Sequence, residues 1–198
     1  METITKTRLS VKVSALGELL DGAMTCAGKG KDTPSVLNTV ALHVTGEELI
    51  ARATDRYRLI EGKVTLDDTG EFSPVLISLA DVKRIIELMK GISIGYAFIE
   101  RDYLNQRVSV RVNANSELIL SPVEGNFPTV ESTDRLLDEP ENFQPVSEIS
   151  FNPKYMADFG KISKKITVKF NGDNKPIHIK LDGDLVTWRA LLMPVKSA

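Results

Sequence analysis

Three times along the chain, a short run of alternating apolar and polar residues gives way to apolar residues spaced three and four apart, then to further alternating runs. In the first pass Leu9, Val11 and Val13 alternate, and Ser14 stands where a helix cap is expected. Leu16, Leu19, Leu20, Ala23 and Met24 then share one helical stripe, which closes at the Gly28-Lys29-Gly30-Lys31 loop. VLNTVALHV, ELIARAT and YRLIEGKV read as three strands. The second pass opens at Pro74 to Ile77, with Ser78 as N-cap and Asp81 three residues on, a carboxylate suited to a helix N-terminus. Its stripe is Leu79, Val82, Ile85, Ile86 and Met89, stopped by Gly91; its strands are Tyr96 to Glu100, Gln106 to Val112 and Glu117 to Leu120. The third pass opens with SEISF. Asn152 caps, Pro153 takes the first helical position where its missing N–H is harmless, and Tyr155, Met156, Phe159 and Ile162 form a shorter stripe. ITVKF, PIHIKL and LVTWRALLM follow, parted by Asn171-Gly172 and Asp182-Gly183 turns.

The passes run Leu9 to Leu66, Pro74 to Leu120 and Ser147 to Met193, or 58, 47 and 47 residues, and the similar lengths favour a βαβββ repeat over coincidence. A unit with one helix cannot bury both of its faces, so units should pair, sheets on one side and helices on the other: an α+β fold. Three units leave one unpaired. Between the second and third lies Glu131 to Pro145, with five acidic residues and two prolines, which reads as a solvated connector. The expected organisation is a complete two-unit domain over 1–130, an acidic linker over 131–146 and a half-domain over 147–198.

Composition narrows the chemistry. The 198 residues are 42% hydrophobic and 26% charged, ordinary globular values. Lys and Arg number 25 against 27 Asp and Glu, so bulk positive charge does not hold this protein to nucleic acid, while a local basic face stays open. The single cysteine, Cys26, excludes an intrachain disulfide and a Cys-based zinc cluster and reads as a small core residue. No h-region and no long apolar run occurs, so a soluble, cytosolic protein is expected. His43 and His178 sit in alternating strand stretches with no Cys, Ser or carboxylate at motif spacing, and no P-loop, GxGxxG, HExxH or GxSxG is present. No enzyme activity and no cofactor are expected.

Three strings carry a resemblance. Ala53-Thr54-Asp55-Arg56-Tyr57-Arg58-Leu59 is similar to the ATDxxRL string of the bacterial β sliding clamp, the ring that tethers replicative DNA polymerase. Glu124-Gly125-Asn126-Phe127-Pro128 resembles the exit of that protein's middle domain. Phe151-Asn152-Pro153-Lys154-Tyr155, with Met193-Pro194-Val195-Lys196, resembles its last half-domain. The resemblance spans Arg8 to Lys196 but corresponds to one complete domain and a half, against the family's three domains of two units each. Where the family has a small or His residue pair after the Asp, this chain has Arg56-Tyr57, and Ser78 stands where a pocket proline is expected.

The resemblance implies a sliding clamp, or processivity factor for DNA replication, that encircles double-stranded DNA without reading sequence. The alternative is a clamp-like decoy or adaptor that binds replication-protein peptides without encircling DNA. A bacterial cytosolic setting follows, an infected host cell and a phage-encoded source included. Residues expected to face DNA are Lys29, Lys31, Lys83, Arg84, Lys90, Lys154 and Lys161. The resemblance also implies an apolar pocket for short linear peptides of the polymerase and clamp loader, carried onto Leu37, Thr54, Arg58, Leu59, Val82, Pro176, Leu191, Met193, Pro194 and Val195. Family rings hold twelve units, which chains of three units reach as a homo-tetramer. Tyr155, Met156, Phe159 and Ile162 are the expected oligomer interface, joining third unit to third and first to first.

Overall fold

The computed structural model describes residues 6–30, 32–140 and 143–195. The first unit comprises β1 (Lys6–Lys12), α1 (Val13–Thr25), β2 (Thr39–Thr45), β3 (Glu48–Thr54) and β4 (Arg58–Thr65). The second comprises β5 (Val75–Ser78), α2 (Leu79–Met89), β6 (Tyr96–Asp102), β7 (Arg107–Asn113) and β8 (Ser116–Leu120). Then come α3 (Val130–Leu137), α4 (Pro153–Ile162), β9 (Ile166–Lys169), β10 (Ile177–Asp182) and β11 (Thr187–Leu192). The expected caps form at two helices: the Ser78 hydroxyl accepts from the Asp81 N–H, and Asn152 Oδ1 accepts from the Lys154 N–H, with Pro153 in the first turn. Ser14 does not cap. Here β1 runs straight into α1, Lys12 holds the capping position without a side-chain bond, and Ser14 lies within the first turn.

Units one and two exchange their leading strands. β1 pairs with β6 in the sheet β1-β6-β7-β8, and β5 pairs with β2 in the sheet β5-β2-β3-β4. This reciprocal pairing makes the two units one domain with an internal pseudo-two-fold. The third unit then extends the second of these sheets: β4 pairs with β11, giving the seven-stranded order β5-β2-β3-β4-β11-β10-β9. Spatial order along the molecule is therefore unit two, unit one, unit three, and its outer ends are units two and three. The expected first-to-first joint is ruled out, because β4, the open edge of unit one, is already taken by β11.

Strand alternation divides the long sheet into two faces. The inner face carries Ile60, Val64, Ala51, Ile77, Ile179 and Leu192, packed beneath the helices in one continuous core. Trp188 is almost wholly buried there, against Gly22 of α1 and Gly62 of β4, and a Cβ at either glycine would collide with the indole ring. Glu18 secures the same joint from α1 by accepting from the Leu185 and Val186 N–H groups at 3.1 and 3.3 Å.

The connector is a second departure from expectation. Thr129 caps α3 by accepting from the Ser132 N–H, and the segment lies across the outer face of the sheet instead of standing in solvent. Arg52 of β3 ion-pairs with Glu61 of β4 and Asp134 of α3, while Arg189 of β11 holds Glu61 at 2.6 Å and Asp134 at 3.1 Å. Further on, Glu139 meets Lys169 and Lys180 at 2.6 and 3.0 Å, and Phe143 sets its ring edge-on to His178. Asp134, Asp138 and Glu139, read as solvated charge, are thus partners for cations presented by four strands.

Candidate functional site

Registration places three of the expected pocket residues side by side. Thr54 lies opposite Leu59 across β3–β4, and Leu59 lies opposite Leu191 across β4–β11, all on the outer face. Met193, two residues beyond Leu191, is 42% exposed, and its N–H donates to the Tyr57 carbonyl at 2.8 Å, which ties the tail to the turn before β4. Pro176 precedes β10 at the same end of the sheet, and Pro194 and the exposed Val195 continue the tail. One residue escaped sequence reasoning: Leu137 of α3 packs on Leu59 and Leu191 in an apolar cluster separate from the main core. Its neighbour Leu136 is 53% exposed beside it. The result is a partly open apolar shelf made from units one and three and the strap. Such a surface accepts varied aliphatic or aromatic anchors, and Met193 supplies an adaptable side chain.

Three expected pocket residues lie elsewhere. Val82, on the core side of α2, is fully buried and has no outer surface. Leu37 is buried in the short turn after the Gly28 loop, and its carbonyl accepts from the Gly28 N–H at 2.8 Å. Arg58 precedes Leu59 in the strand and so points to the opposite face. There it bonds Asp55 at 2.9 Å, Asp158 of α4 at 2.8 Å and the Thr25 carbonyl of α1 at 3.0 Å, with its guanidinium 4.4 Å from the Tyr155 ring centre. It is a clasp between helices. Hydrogen bonds from Lys161 and Arg58 hold the Asp158 carboxyl below its ordinary range, against the opposing effect of burial.

Around that clasp lies a cleft of about 490 Å³ on the helix side, bordered by Lys29, Lys154, Lys161 and the stacked Tyr57 and Tyr155 rings, 6.1 Å apart. Three of the cations expected to face DNA therefore meet at one place. Lys83 and Arg84 are exposed on α2, and Lys90 is exposed at its C-terminal cap. Arg84 pairs with Asp81 at 2.7 Å, Lys90 with Glu87 at 3.4 Å, and Lys161 with Asp158, whereas Lys29, Lys83 and Lys154 have no ion pair among the described residues. Lys31 lies outside the described residues.

The expected oligomer stripe is mostly spent within the chain. Phe159 is fully buried against the core, and Tyr155, Met156 and Ile162 are half-buried against it. The α4 residues left open are instead Pro153, Lys154, Ala157, Gly160 and Lys161.

The helices of the three units on one face, strand-exchanged units and a sheet continued across a unit boundary define the architecture of DNA sliding clamps. Among solved structures the chain superimposes on the β subunit of DNA polymerase III from Thermotoga maritima, with a TM-score of 0.79 and 18% identity, covering 100% of this chain and 67% of that one. The Pseudomonas aeruginosa sliding clamp gives 0.80 and 15%, covering 96% and 66%, and that of Bacillus subtilis 0.75 and 17%, covering 100% and 66%. The chain thus has the sliding-clamp fold over about two thirds of those proteins' length. No protein-family model matches the sequence, and no curated protein aligns with it significantly.

Proposed function

We propose that this chain is a subunit of a DNA sliding clamp that closes as a ring of identical chains, and that it acts in replication by topology, without bond-making. The observation that carries the reading is the β4–β11 joint, where one sheet runs unbroken from unit one to unit three while α1, α2 and α4 all stay on the opposite face. Repeated around a circle, that arrangement puts sheet outside and helices inside. Lys29, Lys83, Arg84, Lys90, Lys154 and Lys161 then face the duplex, with charge that is mobile and reads no bases. The shelf formed by Leu59, Leu137, Leu191 and Met193 docks short peptides of a DNA polymerase and a clamp loader through a Leu or Phe anchor.

The test is lifetime on DNA. After loading, the protein persists on a closed circular duplex and runs off within seconds once the circle is cut, whereas direct affinity for a short open duplex is weak and falls steeply with salt. Equal lifetimes on closed and cut DNA overturn encirclement and leave the peptide-binding adaptor as the surviving reading.

A further inference from the structure

The three units share one detail that unit three leaves half used. In each, the residue two positions before the helix cap offers its carbonyl to an N–H just past the unit's last strand. Ser10 accepts from Asp67 at 2.8 Å, Leu76 from Val123 at 2.9 Å, and Ser150 from Val195 at 2.7 Å. The leading segment of unit three is therefore held on one side as β1 and β5 are. On their other sides β1 pairs with β6 and β5 with β2. Among the described residues Ser150 makes only its bridge to Val195, and no backbone bond uses Ile149 or Phe151. Likewise β9, the counterpart of β2 and β6, has an open edge at the end of the sheet.

The missing neighbours have the shape of the same two strands in a second copy. In the complete domain, Thr39 of β2 pairs with the cap residue Ser78, and Tyr96 of β6 with the cap position Lys12, so the next inward residues, Val40 with Ile77 and Ala97 with Val11, meet in the core. In β9 the inward residues are Ile166 and Val168, since Thr167 and Lys169 share the outer face with Lys180 and His178. The equivalent register sets Ile166 opposite Phe151, Val168 opposite Ile149 and Thr167 opposite Ser150. It also brings Lys169 opposite Glu148, an opposite-charge pair on the outer face. Lys169 already bonds Glu139, and an ammonium with three donors can hold both carboxylates. Any one-residue slip would turn the apolar set outward.

We infer that two copies of this chain join through their third units, each laying residues 148–151 along the other's β9, so that two half-domains complete one clamp domain across a two-fold axis. The pairing is isologous and satisfies two open edges at once. The helices of the two copies then approach through exposed small residues, as α1 and α2 approach at Gly17, where a Cβ would stand 3.9 Å from the end of the Met89 side chain. Ala157 stands at the position of Gly17, five residues past its helix cap, and Gly160 has open space where a Cβ would be. This joint deepens the ring reading, but its test uses no DNA, so joint and encirclement can fail separately.

The experiment mixes two single-cysteine variants, Ser150→Cys and Thr167→Cys, under mild oxidation, with buried Cys26 as the only other thiol. A disulfide-linked dimer of the two variants is expected, while Ser150→Cys with Lys165→Cys, two residues out of register, gives none. Gly160→Glu, which adds a side chain into open space and a better helix former, keeps the monomer folded and weakens the dimer about tenfold or more. Linkage independent of register, a dimer indifferent to Gly160→Glu, or a wild-type monomer at tens of micromolar overturns the inference.

Discussion

Units one and two each give a leading strand to the other's sheet, whereas unit three receives none from the described residues of its own chain. The same βαβββ pattern thus yields a closed domain in one place and an open half-domain in the other. The half-domain persists because it is fastened sideways instead: β11 on β4, Trp188 between two glycines, Glu18 on the β10–β11 turn and the α3 strap across the outer face. Burial against a neighbour substitutes for burial against a twin. What unit three lacks is a partner for its edges, more than a core.

Removing Glu61 breaks that sideways fastening most severely. Its side chain is fully buried between Arg52 and Arg189, so Glu61→Ala leaves two guanidiniums with only the more exposed Asp134 carboxylate between them and costs about 3 kcal/mol. Chemical denaturation followed by Trp188 fluorescence, which reports from the joint because it is the sole tryptophan, measures it. Acid works on the complete domain. Burial first, then the Arg52 charge, pushes His43 down to about 4 from its ordinary 6.5, so the unfolded chain takes up this proton before the folded one. Its share of stability, on the order of 3 kcal/mol, is full above pH 6.5, declines as pH falls toward 4 and is then exhausted. His178 is lowered as well, also by burial, and adds to the loss in the same direction. His43→Gln flattens that part of the pH profile without abolishing it.

Smaller changes sharpen the contrast. Gly62→Ala forces a methyl into the Trp188 ring and costs about 1–3 kcal/mol, loosening unit three ahead of the rest. Hydrogen exchange should then rise in β9–β11 before it rises in β6–β8. Met193→Ala, on the shared shelf, weakens a Leu- or Phe-anchored peptide by about 2 kcal/mol with no change in the thermal midpoint. The smallest effect is a gain: Arg56 sits at φ 79°, in the left-handed region, and Arg56→Gly stabilises by about 1 kcal/mol or less, read as a rise in melting temperature.

The repeat, the strands and two of the three unit caps were legible because they are written locally, in alternation, stripe spacing and capping side chains. The strap was not. Its helix offers Val130, Leu136 and Leu137 among polar residues, too few for a stripe, and it is held by cations on distant strands that only the tertiary structure brings together. Assigning Arg58 and Leu59 to one pocket ignored strand alternation, which sends neighbours to opposite faces and could have separated them in advance. Reading the third stripe as an exposed interface treated the unit as alone, and Phe159 is buried in the common core without any second chain. The order of the units escaped because β4 finds its neighbour in β11, across more than a hundred residues of chain.

If the half-domain is completed by a second copy and the β8 edges close the other end, four chains of 21.9 kDa supply the twelve units of a ring. Native mass spectrometry at micromolar protein tests this directly. The account predicts a species of about 88 kDa that Gly160→Glu reduces to smaller ones. A wild-type protein that stays at 21.9 kDa, or settles as a trimer near 66 kDa, contradicts it.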